Sequence, residues 1–199
     1  MTSPFDRLLT QAGPALSDQP AQVFPDGSSD LRRDLARLLG VRNGFHAFSG
    51  ALLVLPADDS EQGLRAWNDP DGWRARYGGH LHAGLLVFAH DLFGNAFALH
   101  PRGVVLFDAE TGGYEEVSRN LIGWAQAMTG EPHWTGEGLV QAWQALHGPL
   151  PAGQRLVPER PFRDGGPRVL TNLRSVPLRD SLLRRADALT LTSASPAAD

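Results

Sequence analysis

The sequence predicts an α+β fold in which a mostly antiparallel β-sheet, a meander around residues 85–117, is flanked by helices. Three apolar runs of strand length are separated by short stretches rich in glycine, asparagine and proline: Leu85–Ala89, Ala96–Leu99 and Val104–Phe107. This is the pattern of strands joined by hairpins. A fourth short strand is predicted at 114–117, after a turn-rich stretch. All other elements are expected to pack on this sheet.

Two helices are predicted before the meander. A short one covers residues 5–11, and prolines make the stretch after it a loop or an extended arm. The second is amphipathic, and its apolar face consists of Leu31, Leu35, Leu38 and Leu39. Ser29 or Asp30 is its predicted N-cap, and Gly40 is the predicted left-handed residue at its end.

The stretch between this helix and the meander predicts a turn, a strand and broken helical turns. Asn43 and Gly44 form the turn. The apolar residues Phe48–Leu55 predict a strand closed by a proline. Residues 64–77 carry two tryptophans and a tyrosine among glycine and proline, which favours short, interrupted helical turns.

Two helices are predicted directly after the meander. The first is capped by Ser118 and ends at Gly130. Its predicted inward face consists of Leu121, Ile122, Ala125 and Met128. The second begins at Thr135 and stops at the Gly148-Pro149 pair. Its predicted inward residues are Leu139, Val140, Trp143 and Leu146.

The C-terminal part is predicted to be irregular before one last helix. Residues 149–177 are rich in proline and carry short apolar pieces at Leu156–Val157 and Val169–Leu170, which predict one or two brief strands. A helix follows at 178–189 with Leu182, Leu183 and Ala186 on its apolar face.

These elements divide the chain into three parts. Residues 1–30 form an N-terminal arm with a short helix, and residues 31–130 form the α+β core. Residues 131–199 form a helical and irregular extension packed on that core, with a frayed tail from about residue 193.

Composition excludes several kinds of chemistry. The 199 residues are 42% hydrophobic, which is enough for a real core, and contain no cysteine, so disulfides, thiolate nucleophiles and cysteine–zinc sites are absent. All 18 basic residues are arginine, which excludes a lysine Schiff base and a phosphate-loop lysine.

Charge and hydropathy bear on location and partners. The first residues lack a basic, apolar leader, and no run approaches the roughly 18 apolar residues that span a bilayer, so we expect a cytoplasmic protein without a membrane partner. Residues 1–130 carry 10 arginines against 15 acidic residues, a balance of −5, while residues 131–199 balance at +1. An acidic N-terminal part argues against a nucleic-acid surface there.

Histidines supply the sharpest indication of an enzyme. His80 and His82 lie on one side of an extended segment, and His90 and His100 lie at nearby strand ends. Three imidazoles that converge would bind a metal ion, so a metal-dependent hydrolase using His80, His82 and His90 is one hypothesis. The alternative is that these side chains only form hydrogen bonds to the backbone. No familiar metal-binding helix motif accompanies them.

Other catalytic patterns are missing. Neither Ser49 nor Ser60 has the glycine-flanked turn of a serine nucleophile, and no glycine loop between strand and helix has dinucleotide or phosphate spacing. We therefore predict no catalytic residue and no cofactor.

Acidic residues cluster in the N-terminal part, where they form either a solvated face, an acid–base or metal set, or a surface for a basic protein partner. The predicted partner-binding residues are Asp58, Asp59, Glu61, Trp67, Asp69, Asp71, Trp73, Asp91, Glu115 and Glu116. The two tryptophans have a competing assignment to the core.

The run Leu86–Leu99, followed by Val105–Asp108 and a helix ending near Met128, resembles the core of the SUKH superfamily. The segment Leu39–Leu55, with its Asn-Gly turn, is similar to the part that follows the first long helix of that superfamily. The resemblance covers roughly residues 31–130, and the segment from Thr135 to Leu173 resembles an extension of some larger bacterial members.

The resemblance implies an immunity protein, which binds and neutralises a cognate bacterial toxin. The superfamily has no shared catalytic residues, so a non-enzymatic protein that acts by occlusion is expected. A general protein–protein scaffold is the alternative among binding functions. The sequence names neither the toxin nor the oligomeric state.

Overall fold

Six antiparallel strands, each paired with the next in chain order, form the main sheet of the computed structural model, which describes residues 2–21 and 29–193. The strands are β1 (Phe45–Ala47), β2 (Leu52–Val54), β3 (Leu86–His90), β4 (Ala96–His100), β5 (Gly103–Phe107) and β6 (Tyr114–Ser118). The predicted α+β fold with an antiparallel meander is confirmed, and the first two strands extend the sheet beyond it.

Helices and a second hairpin surround this sheet. Within the described ranges the α-helices are α1 (Pro4–Thr10), α2 (Asp30–Val41), α3 (Leu64–Trp67), α4 (Trp73–Tyr77), α5 (Leu121–Gly130), α6 (Glu137–His147) and α7 (Leu178–Ser193). The hairpin consists of β7 (Gln154–Pro158) and β8 (Leu173–Pro177). None of the described helices is long and apolar enough to cross a membrane.

The turn between β3 and β4 follows from local chemistry. The amide of Asp91 donates to the carbonyl oxygen of Asn95 at 3.1 Å, and Gly94 between them has a φ of 81°. Glycine adopts this left-handed conformation without steric cost. The turn therefore returns the chain antiparallel to itself, as the sequence predicts.

One face of the sheet packs on α5. Phe88 of β3 and Phe97 of β4 are fully buried, and their ring centroids lie 4.9 and 5.9 Å from that of Trp124. Helix α1 packs on the far side of α5 and buries Leu8 completely. The N-terminal arm thus contributes to the core.

The opposite face is covered by α3, α4 and α7. The Tyr77 ring packs edge-on against Phe107 of β5, with centroids 5.0 Å apart. The Tyr77 hydroxyl lies 3.0 Å from the carbonyl oxygen of Ala109 and 3.1 Å from that of Leu182 in α7. The C-terminal helix is therefore tied to the sheet through one buried tyrosine.

The predicted strand Phe48–Leu55 is wrong. Residues Phe48–Gly50 form a short 3-10 turn, and the chain reverses there so that β1 pairs with β2. Ser49 has a φ of 57°, and α6 holds it through a bond from the Gln144 side-chain amide to its carbonyl oxygen at 2.7 Å. A residue 95 positions later in the chain therefore holds this turn.

Both helices after the meander differ from prediction in detail. Asn120, rather than Ser118, caps α5, because its side-chain oxygen accepts from the amide of Gly123 at 2.8 Å. The buried residues of α5 are Leu121, Trp124, Ala125, Ala127 and Met128. Ile122 is 46% exposed, and Leu146 of α6 is 69% exposed, so both were wrongly placed inward.

Two smaller expectations also fail. Gly40 lies inside α2 without a left-handed conformation, and the helix continues to Val41. Val169–Leu170 is not a strand, since a 3-10 turn covers Leu170–Asn172 and β8 begins at Leu173. The other predicted piece, Leu156–Val157, does lie in a strand, β7, so only the second strand of the pair begins later than expected.

One hydrophobic core contains residues from all three predicted parts of the chain, from Leu8 to Leu189. The amide of Leu156 in β7 donates to the carbonyl oxygen of Leu92 at 3.0 Å, which joins the second hairpin to the main sheet. The expected end of the arm at 22–28 and the expected frayed tail at 194–199 lie outside the described residues.

Candidate functional site

Five of the predicted partner-binding carboxylates lie on one segment, residues 58–71, which we call the acidic loop. They are Asp58, Asp59, Glu61, Asp69 and Asp71. Asp58 is half-buried and the other four are exposed. Arg65 is the only basic residue of the loop, and its guanidinium lies 3.6 Å from a carboxylate oxygen of Asp59. The loop has a net charge of −4.

Local hydrogen bonds shape the acidic loop. A carboxylate oxygen of Asp58 accepts from the amide of Ser60 at 3.1 Å and from its hydroxyl at 2.6 Å. Partial burial alone would raise the pKa of Asp58, but hydrogen bonds from Ser60 and Ser17 hold it below its ordinary value. Asp69 likewise accepts from the amide of Asp71 at 3.0 Å. These hydrogen bonds hold both carboxylates in defined turns, and they favour the charged form of Asp58.

Trp67, within the acidic loop, and Trp73, two residues after it, are buried, and their assignment to a partner surface is wrong. Trp73 is 1% exposed, and its indole donates to the carbonyl oxygen of Trp67 at 3.0 Å. The two rings meet edge-on at 6.1 Å. Both tryptophans anchor the loop on the core, which is the competing assignment made from the sequence.

Asp91 is also unavailable to a partner. It is buried, and it accepts hydrogen bonds from the amides of Phe93 and Asn95 at 2.9 and 2.8 Å and from the Asn95 side chain at 2.9 Å. Burial raises the pKa of this carboxyl to about 6. The hydrogen bonds of Asp91 fix the turn between β3 and β4.

Glu115 and Glu116 lie on the edge strand β6, apart from the acidic loop. Both are exposed, and successive residues of a strand point to opposite faces of the sheet. Helix α3, within the acidic loop, contacts β3, which is three strands away from β6. The structure thus separates two glutamates from the five loop carboxylates.

The predicted histidine cluster does not form. His90 is completely buried, with its ring 4.9 Å from that of Trp67, and burial lowers its pKa to about 3. His80 and His82 are exposed near the other end of the sheet. In the described ranges, no group of three or more histidine, aspartate or glutamate side chains is placed to hold a metal ion.

His82 and His100 instead line an open cleft of about 540 Å³ beside β5 and β6. Their rings are 6.4 Å apart. The Tyr114 hydroxyl closes one end, since it donates to the carbonyl oxygen of His80 at 2.6 Å and accepts from the amide of His82 at 3.1 Å. The other polar residues of the cleft are Arg102, Glu116, Ser118 and Arg119.

Sequence reasoning missed this cleft and three buried arginines, Arg74, Arg155 and Arg185. Tyr114 and Glu116 are alternate residues of β6 and line the cleft, which was the available signal, whereas a β-bulge shifts the register before Ser118. Arg155 in β7 is completely buried, and desolvation lowers its pKa to about 10 although the nearby Asp91 acts in the opposite direction. Nothing in its proline-rich surroundings indicated burial.

Comparison with known proteins gives a likeness of fold. No protein-family model and no curated protein matches the chain. The chain is similar to the crystal structure of Atu4351 from Agrobacterium tumefaciens, with a TM-score of 0.60 and 14% sequence identity over 92% of this chain and 89% of that one. At this identity the likeness concerns the arrangement of strands and helices alone.

Proposed function

We propose that the chain is a non-enzymatic, SUKH-type binding protein of the cytoplasm that neutralises a cognate bacterial toxin by covering part of its surface. The observation that carries this proposal is the acidic loop, in which four exposed carboxylates lie on a segment with a single arginine. The partner is then a protein with a basic surface, and neither nucleic acid nor a membrane is involved.

The construction of the loop supports this role. Glu61 and Asp71 are exposed, and their carboxylates have no hydrogen bond or ion pair to any other residue that the structure describes. The loop is fixed on the core through the buried Trp67, whose carbonyl oxygen accepts from the indole of the buried Trp73 just after the loop. A negative surface on a rigid support speeds encounter with a positive partner and suppresses wrong partners.

A cellular scaffold is the alternative that uses the same surface. The two functions differ in their consequence, because only an immunity protein restores growth to a cell that makes the toxin. A toxin encoded by a gene adjacent to this one is the partner to test first. Its expression should stop growth, and co-expression of the wild-type chain should restore it.

The charge-reversal variant Glu61→Arg/Asp71→Arg tests the surface. It leaves the internal hydrogen bonds of Asp58 and Asp69 in place and changes the net charge by +4. The matched control Glu131→Arg/Glu159→Arg makes the same change at exposed residues outside the loop that carry no predicted binding role. We expect the control to protect like the wild type, and the loop variant to lose protection while its melting temperature stays close to that of the wild type.

Two outcomes contradict the proposal. Full protection by the loop variant removes the acidic loop from the interface, and loss of protection by the control moves the interface to the end of α5 or the C-terminal part. Failure of the wild-type chain to restore growth favours the scaffold alternative.

A further inference from the structure

A cavity of about 160 Å³ lies between β8, α7 and the segment after β7, and its polar lining is mostly arginine. The charged residues that line it are Glu110, Arg163, Arg174, Arg184 and Arg185. Four positive charges against one negative charge leave a local balance of +3, in a protein whose net charge is −4. An adjoining cavity of about 250 Å³ shares Glu110, Arg163 and Arg185 with it.

Arg185 is the buried cation of this site. It is 8% exposed, and its Nη2 donates to the carbonyl oxygen of Phe93 at 2.7 Å. Its Nε and Nη1 atoms are buried and have no hydrogen-bond partner among the described residues. Because both atoms are closed to solvent, an anion in the cavity meets the positive charge of this buried guanidinium rather than these two N–H groups, and a nearby negative charge lowers the cost of burying it.

The neighbouring carboxylates do not fill this role. A Glu110 carboxylate oxygen accepts from the amide of Arg163 at 3.1 Å, and the Arg163 guanidinium donates to the carbonyl oxygen of Glu110 at 2.7 Å. Asp91 is committed to the turn between β3 and β4. Within residues 2–21 and 29–193, no carboxylate oxygen lies within 4.0 Å of the Arg185 guanidinium.

We propose that this cavity binds a phosphate group, either free or carried by a small organic molecule, with Arg185 as its buried positive charge. Arg163, Arg174 and Arg184 surround the group from the same cavity. A phosphate carries close to two negative charges and three acceptor oxygens at neutral pH, which matches several guanidinium groups better than a single carboxylate does. The volume lies below the roughly 300–1,000 Å³ of sites for drug-sized ligands, so only a small anion fits.

The site is separate from the acidic loop and does not depend on toxin binding. It uses the β7–β8 hairpin and α7, whereas the acidic loop lies between β2 and α4. Occupancy connects α7 to the segment around Arg163, so phosphate is expected to stabilise this part of the fold.

Titration calorimetry with inorganic phosphate, and separately with glycerol 3-phosphate, tests the proposal on the full chain at constant ionic strength. The variant Arg174→Gln/Arg184→Gln removes two charges at exposed positions, so its fold is preserved. The control Arg37→Gln/Arg119→Gln removes two charges elsewhere, and Arg119 belongs to the larger cleft beside β5 and β6. We expect one bound anion per chain, at least about tenfold weaker binding by the cavity variant, and a change below about twofold for the control.

A second measurement addresses Arg185 itself. Nitrogen-15 spectra of the arginine Nε–H groups report its environment, and Arg185→Gln identifies its signal by loss. We expect phosphate to shift this signal in the wild type and to raise the melting temperature with concentration. No binding of either probe, equal binding by both double variants, or loss of binding only in the control overturns the proposal.

Discussion

The substitution Phe88→Ala measures how much of the fold depends on the contact between the sheet and α5. Phe88 is fully buried, and truncation of a buried phenylalanine costs about 3–5 kcal/mol of unfolding free energy. The edge-on contact with Trp124, with centroids at 4.9 Å, contributes roughly 0.5–1.5 kcal/mol of that loss. For a domain of this size, the melting temperature should fall by about 6–20 °C.

The control is Ile122→Ala on α5, the helix against which Phe88 packs. Ile122 is largely exposed, so its truncation should change the unfolding free energy by no more than about 0.5 kcal/mol. Urea denaturation monitored by tryptophan fluorescence, together with calorimetric melting, gives both values. A cost at Ile122 equal to or larger than that at Phe88 would show that α5 is rotated from the position described above.

Three further predictions concern glycines and buried titratable groups. Gly94→Val should cost at least about 1–3 kcal/mol, because a β-branched residue is strained at positive φ and its Cβ would lie 2.8 Å from a leucine side chain of α7; an unchanged melting temperature contradicts this. Gly40→Ala should stabilise the chain by about 0.5–1 kcal/mol, since the residue is inside a helix with open space around it. Destabilisation would instead support the sequence-based prediction that Gly40 is the left-handed residue at the end of the helix. Burial lowers the pKa of His46 to about 4 and that of His90 to about 3, so the unfolded chain binds more protons between these values and about 6.5. Asp91, with its pKa raised to about 6, acts in the opposite direction between about 4 and 6, but two histidines outweigh one aspartate. The unfolding free energy should therefore fall as pH drops from about 6.5 to about 4, and a His90 proton resonance that shifts between pH 7 and 5 refutes the assignment.

The parts of the fold that local chemistry determines were predictable from the sequence. The strands from β3 to β6 follow from apolar runs and turn residues, and Gly94 has the left-handed conformation that a hairpin needs. The first hairpin was not predictable, because Ser49 takes its positive φ while held by side chains of α6. No local pattern carries that information.

The candidate site likewise has one part that the sequence predicts and one part that it does not. The five carboxylates of the acidic loop are close in sequence, so their common placement follows from it. The burial of Arg185 does not follow from the sequence, because it depends on how α7 packs beside the turn after β3. There the Arg185 guanidinium donates to the carbonyl oxygen of Phe93. The sequence shows that His90 lies at the end of a strand, which led to its assignment to a metal cluster. It does not show that Trp67 and Trp73, from another segment, enclose the ring.

The association rate between the purified chain and its toxin, measured over a range of salt concentrations, tests the central claim most directly. If the acidic loop guides a basic toxin, the wild-type rate should fall steeply with ionic strength, because salt screens the interaction between exposed charges. Association of Glu61→Arg/Asp71→Arg should be slower by about tenfold or more at low salt and should lose most of the salt dependence, whereas Glu131→Arg/Glu159→Arg should behave like the wild type. An association rate of the loop variant that equals the wild-type rate at every salt concentration would contradict the account.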